Sequence, residues 1–247
     1  MVISICNEKG GSGKSTLATN IAIYEFFAKE NYTWLIDSDP QRSIATFLNI
    51  RNDENLEKAF HFSYKNGDAL KTMLSDTIFT KNSLIVDTGG RDSREMRIAI
   101  ALSDIVLIPT IPSQFDISVL DMMVERLKQA KELNPKLKAY IVINRASPNP
   151  FLSKKIESLK KYIKELECDY ITLAKTIIHE REAYKIATQM GMGVFEMDKN
   201  SKASIEIKSL CEEIDKRQEW VNALMLIGAI TIISIRLVKQ LNQIEKE

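Results

Sequence analysis

The chain has 247 residues, 45% of them hydrophobic and 27% charged, a globular balance that excludes a wholly disordered protein. Its 9 Gly and 6 Pro exclude collagen-like and linker-dominated designs. Lys and Arg number 34 against 33 Asp and Glu, a formal charge of +1, so any nucleic-acid surface has to be a local patch.

Met1 runs at once into an apolar strand, Val2–Cys6, with no basic stretch before it, so no signal peptide is expected. Further strands are expected at Thr33–Asp37, Ser83–Asp87, Ile105–Ile108, Ala139–Ile143 and Tyr170–Leu173. Amphipathic helices alternate with them. Leu17, Ile21, Tyr24 and Ala28 fall at helical spacing after the first strand, and Leu120, Met123, Val124 and Leu127 do so in a helix from about Ile117 to Leu133. Leu152, Ile156, Leu159, Ile163 and Leu166 form an apolar stripe opposite a row of lysines. Ile207, Leu210, Cys211 and Ile214 mark a helix that closes the globular part. This alternation predicts an α/β fold, a mostly parallel sheet with helices on both faces, as one domain over residues 1–218. Ligands of such sheets bind at the carboxyl ends of the strands. Cys6, Cys168 and Cys211 have no metal-ligand spacing and read as reduced thiols of a cytoplasmic protein.

Residues 219–247 read as a separate hydrophobic helical tail. Trp220 to Ile235 is a run of sixteen uncharged residues. As a helix it would span about 24 Å, short of the roughly 30 Å hydrocarbon core of a bilayer. Packing on the domain or between protomers, contact with a membrane, and no specific role all fit this composition.

Three segments at strand ends carry chemistry. Between the first strand and first helix stands Lys9-Gly10-Gly11-Ser12-Gly13-Lys14-Ser15-Thr16, a P-loop in which Glu8 replaces the usual first glycine. Glycines let backbone N–H groups of Gly10 to Thr16 converge on phosphate oxygens, and the following helix N-terminus adds a favourable dipole. Lys14 is expected on the β- and γ-phosphates, and the Ser15 hydroxyl on Mg²⁺. The second segment, Asp37-Ser38-Asp39-Pro40-Gln41, places two carboxylates at a strand end. The third, Leu84-Ile85-Val86-Asp87-Thr88-Gly89-Gly90, ends an apolar strand in an aspartate placed to hold Mg²⁺.

Together these segments resemble the deviant Walker A ATPases of the ParA/MinD family over about residues 1–218, most nearly the small, ParF-type partition ATPases. The resemblance implies ATP and Mg²⁺ as cofactors and a homodimer that sandwiches two nucleotides. By it Lys9 reaches the partner's nucleotide, Asp39 orients the attacking water, Asp37 supports the metal's outer shell, and Asn144 recognises adenine. Pro109-Thr110-Ile111-Pro112-Ser113 resembles the strand-to-helix connection that shapes the dimer face. It further implies a slow ATPase that binds non-specific DNA in its ATP state and is stimulated by a centromere-binding adaptor protein, in a cytoplasmic, nucleoid-associated setting. Lysines 154, 155, 160, 161 and 164, with Arg181 and Lys185, are candidates for the DNA face, although Glu157, Glu165 and Glu167 are interspersed as on any solvated helix. The alternative is a MinD-like positioning ATPase that contacts the membrane through the tail. Iron–sulfur and tyrosine-kinase relatives are excluded: the cysteines lie outside the switch segments, and the tail has no tyrosine. Arg91 and Arg94 read as salt-bridged surface residues, His61 as a loop residue, and His179 as a surface residue.

Overall fold

The structure, a computed structural model, describes residues 1–76, 83–112, 117–147 and 152–216. Seven strands form one sheet: β1 (Val2–Ile5), β2 (Thr33–Asp37), β3 (Phe60–Tyr64), β4 (Leu84–Asp87), β5 (Ile105–Thr110), β6 (Lys138–Ala146) and β7 (Ile171–His179). Their order is β3-β2-β4-β1-β5-β6-β7, and every pairing is parallel. The apolar residues of β1 and β4 are fully buried, as expected of central parallel strands covered on both faces.

The helices are α1 (Lys14–Lys29), α2 (Ser43–Asp53), α3 (Gly67–Asp76), α4 (Arg94–Leu102), α5 (Ile117–Leu133), α6 (Leu152–Glu165), α7 (Glu182–Gln189) and the short α8 (Val194–Met197). A last helix follows over 202–216. On one face of the sheet Val2, Val86, Val106 and Ile141 pack with Leu70 of α3, Met96 of α4 and Met123 and Leu127 of α5. Helix α1 covers β1, β2 and β4. Its predicted stripe holds for the buried Leu17, Ile21 and Tyr24, whereas Ala28 is exposed in the last turn.

Four expectations change in detail. Strand β3 was not foreseen: Phe60, Phe62 and Tyr64 alternate with His61 and Ser63 in a short run that pairs only with β2, at the sheet edge. His61 therefore lies in a strand, its ring stacked on Trp34 at 4.8 Å, and not in a loop. Strand β5 continues through Pro109 and Thr110 because β6 pairs with it there, through Val142 and Ile143, after β1 has stopped. Strands β6 and β7 run on to Ala146 and His179, which puts Asn144 inside a strand, near its end.

Residues Met1–Lys208 form one compact unit and Ser209–Glu247 a second. The boundary expected at 218/219, and the tail beyond it, lie outside the described residues.

Candidate functional site

The loop after β1 is fixed at its base by Asn7. Its side-chain amide donates to the Pro109 carbonyl at 2.7 Å, and its Oδ1 accepts the Lys9 backbone N–H at 2.9 Å. Gly11 and Gly13 hold φ of +73° and +86°, left-handed values that exclude most side chains, and a Cβ on Gly13 would lie 2.5 Å from Asn144 Nδ2. Helix α1 then starts at Lys14 with no acidic residue in its first turn and no side-chain cap, so its N-terminal N–H groups stay available to an anion. Lys14 is 6% exposed, and its Nζ donates to the Lys9 carbonyl at 3.2 Å. Burial pulls its pKa down while Asp87 and Asp39 pull it back up. The Ser12 hydroxyl is buried with no hydrogen-bond partner.

Asp37 and Asp87 end the adjacent strands β2 and β4 in direct register. Ser38 staples the two ends together: its N–H and its hydroxyl both donate to the Asp87 carbonyl, at 3.0 and 2.9 Å. One Asp37 oxygen accepts the Asp39 N–H at 2.9 Å, and the other is buried and unpartnered. Neither Asp87 carboxylate oxygen meets a donor in full hydrogen-bond geometry, although the Ser15 hydroxyl is close enough to lower its pKa. Burial pushes Asp87 up to about 7, with the Asp37 charge adding to the rise, and pushes Asp37 up to about 6. Uncompensated buried carboxylates are costly. Three orphaned oxygens beside a phosphate loop are the donor set a hard divalent cation would satisfy, so Asp37, Asp87 and Ser15 fit Mg²⁺. Asp39 sits farther out, half-buried, its Oδ1 accepting the Gln41 N–H at 2.9 Å.

The phosphate loop and Asp39 line one wall of a cavity of about 930 Å³, with Asp37 and Asp87 buried behind them. Gly10, Gly11, Gly13, Lys14, Ser15, Thr16, Asp39 and Asn144 all face it. The ends of β6 and β7 and one side of α7 form a second wall. Asn144 donates its side-chain amide to the Ser12 carbonyl at 2.7 Å, so it braces the phosphate loop as well as facing the cavity. Arg145, in the left-handed region at φ 51°, donates to the Gly11 carbonyl at 3.1 Å and to Glu180 at 2.8 Å. His179 Nδ1 lies 2.7 Å from Glu206 Oε1, an oxygen that also accepts from Arg181 at 2.5 Å.

Sequence reasoning missed most of this second wall, which includes Glu180, Tyr184, Thr188 and Gln189. The available signal was the polar run Glu180-Arg181-Glu182 directly after the apolar Ile177-Ile178, a strand end of the kind at which ligands bind. Two candidates for a basic DNA stripe, Arg181 and Lys185, line the cavity and pair with Glu206 and Glu182. Lys160 and Lys161 of α6 pair with Glu157 and Glu165. Arg94 pairs with Asp68, as expected of a surface arginine, whereas the exposed Arg91 faces the cavity. Lys9 borders a separate small cleft with Ser12, Thr110 and Met123. In the loop between β4 and α4, a Cβ on Gly90 would stand 2.9 Å from Gly10 Cα, so the two loops touch backbone to backbone.

The sequence profile of the CobQ/CobB/MinD/ParA nucleotide binding domain matches residues 3–194. The chain is 26% identical over 216 residues to the "Maintenance of carboxysome distribution protein A" of Halothiobacillus neapolitanus, covering 86% of this chain and 95% of that protein. It is 26% identical over 214 residues to "Protein ParA" of Rhizobium radiobacter, covering 83% and 91%. Among solved structures, the Aquifex aeolicus MinD cell division protein superposes with a TM-score of 0.66 at 18% identity, covering 87% of this chain and 97% of that one. A putative plasmid partition protein of Borrelia burgdorferi bound to AMPPNP gives 0.63 at 21% identity, covering 87% and 98%. Both likenesses are of fold.

Proposed function

This chain belongs to the CobQ/CobB/MinD/ParA nucleotide-binding family, whose ParA and MinD branches are P-loop ATPases of partition and positioning, and we propose that it is a Mg²⁺-dependent ATPase that dimerises with ATP and partitions DNA. The observation that carries this reading is the set of unpartnered Asp37 and Asp87 oxygens beside an α1 N-terminus free of acidic residues. In it the N–H groups of Gly10 to Thr16 bind phosphate oxygens, and Lys14 neutralises the β- and γ-phosphates. Ser15 and Asp87 hold Mg²⁺, with Asp37 behind them. The ion draws charge from the phosphoryl group during transfer. Asp39, half-buried at the cavity edge, orients the attacking water, and Asn144 faces the base.

Lys9 acts on the nucleotide of a second protomer. Its place outside the main cavity supports a role in trans. Residues 1–218 are the ATPase domain and 219–247 a helical tail. The ATP-bound homodimer holds non-specific DNA through phosphate contacts in the cytoplasm, on the nucleoid. A centromere-binding adaptor stimulates hydrolysis and releases it. The name of the carboxysome-distribution relative also admits a protein cargo in place of a plasmid.

A second reading, a MinD-like ATPase that contacts the membrane through residues 219–247, is favoured by the sixteen uncharged residues from Trp220 to Ile235. Among the described residues no helix is long and apolar enough to cross a membrane. Retention of random-sequence duplex DNA with ATP or ADP, run beside liposome flotation of the same samples, separates the two. DNA retention only with ATP, lost at high salt, is expected. ATP-dependent flotation without DNA binding would move the protein to the second reading. Lys9→Ala is expected to bind ATP yet fail to dimerise, and wild-type dimers from that variant would sink the trans role.

A further inference from the structure

Arg126 of α5 lies outside the cavity but is bound to both loops that close it. One side of its guanidinium forms an ion pair with Glu8, the residue immediately before Lys9, by charge contact and not in hydrogen-bond geometry. The other side grips Asp92, two residues after Gly90, through Nε at 3.1 Å and Nη2 at 3.0 Å. Nη1 also donates to the Met122 carbonyl of its own helix at 2.8 Å, which fixes the orientation of the fork. The helix is packed into the core behind it through the buried Leu120, Met123, Val124 and Leu127. Arg97 of α4 holds Asp92 from the other direction.

The side chains of Arg126 and Glu8 are only 16% and 12% exposed, so this is no freely solvated surface pair. Burial raises the Glu8 pKa against the pull of Arg126, while hydrogen bonds from Arg97 and Arg126 hold Asp92 well below the carboxylate range. Between the two bridged points Gly90 stands against the Gly10 backbone, with Lys14 Nζ next to it. The glycine pair itself has no side chain to fix its spacing. An ionic bridge anchored on a packed helix can fix it.

We infer that Arg126 is a positioning residue for phosphoryl transfer: through Glu8 and Asp92 it sets the distance between the phosphate loop and the β4–α4 loop. The inference rests on the ATPase reading above. It also gives a reason for the acidic residue where a standard P-loop has glycine. Glu8 supplies the carboxylate that ties the loop to α5, which glycine cannot do. Arginine suits 126 because its planar fork grips Asp92 through two N–H groups while its charge faces Glu8, and a lysine ammonium cannot match that geometry.

The test is steady-state ATP hydrolysis by the full chain, with affinity for a fluorescent ATP analogue and thermal unfolding measured on the same samples. Displacement of reacting groups costs rate more than binding, so Arg126→Gln should lower kcat about tenfold with KM changed less than about twofold. Arg126→Lys should recover most of the lost Tm without recovering kcat. Glu8→Gln and Asp92→Asn break the same bridge at opposite ends, so the double variant should be no slower than the worse single variant. That cycle carries the test if Arg126→Gln does not fold. A folded Arg126→Gln with wild-type kcat, or single effects that multiply in the double variant, would overturn the inference alone. A wild-type chain that neither binds nor hydrolyses ATP would overturn the proposed function and this inference with it.

Discussion

On the β1, β2 and β4 side of the cavity the phosphate-loop Lys14 and the strand-end Asp37 and Asp87 are buried, whereas on the β6, β7 and α7 side Asn144 is buried but Arg145, Glu180 and His179 are exposed. Asp37 and Asp87 are 0% exposed and Lys14 is 6% exposed, while the side chains of Arg145, Glu180 and His179 are 46%, 45% and 42% exposed. The first wall keeps charges that lack full compensation inside the protein. The second neutralises its charges in ion pairs before any ligand arrives. Uncompensated buried charge is what a phosphate and a metal can repay with large energies, and a solvated ion pair has little left to give. On the proposed function, the contrast puts binding energy and chemistry on the first wall and leaves the second a smaller part.

Substitutions on the first wall should have the larger effects. Lys14→Ala removes the buried cation and is expected to cost about 100-fold or more in ATP affinity and hydrolysis, read by analogue titration and phosphate release. A variant close to wild type would break the contrast at its strongest point. Asp87→Asn should lower hydrolysis by about 100-fold and at the same time stabilise the protein free of nucleotide and metal. The sign follows from linkage. A carboxyl raised to about 7 on folding, from an ordinary value of 3.8, binds more protons in the native state. Its contribution to stability is therefore greatest below pH 4 and is lost as pH rises toward 7. At pH 8 the Asn variant should melt roughly 3 °C or more above wild type, with the gap narrowing toward pH 5. A gap that is constant with pH would show that Asp87 is not the strained group. On the second wall, Arg145→Ala breaks an exposed pair, and the change in ATP affinity should stay below about fivefold. A larger loss would mean that this wall contributes binding energy, and the division between the walls would have to be redrawn.

The same division governed what could be read before the structure. The first wall is local: Lys9 to Thr16 is contiguous, and Asp37 and Asp87 each end a recognisable apolar strand, so residue type and spacing carried the information. The second wall is assembled by packing. Ser12 meets Asn144 across 132 residues and Arg145 meets Glu180 across 35, and no periodicity encodes either meeting. Strand β3 escaped for a related reason. An edge strand needs only one partner, and its few alternating aromatics sit among polar residues that read as loop. The bridge from Glu8 through Arg126 to Asp92 was equally hidden, because Arg126 in sequence is one more charged residue on a helix.

The placement of β1 has a consequence for how the molecule is made. Its two neighbours are β4 and β5, so Ile5 is matched with Asp87 on one side and Leu107 on the other. Ile5 and Leu107 lie about a hundred residues apart, so the phosphate loop is synthesised long before the frame that shapes it can close. Contacts of such long sequence separation are slow to form. A truncated or stalled product would thus carry the complete phosphate motif in an unframed chain, with the apolar β1 unpaired and open to association with other unfinished chains.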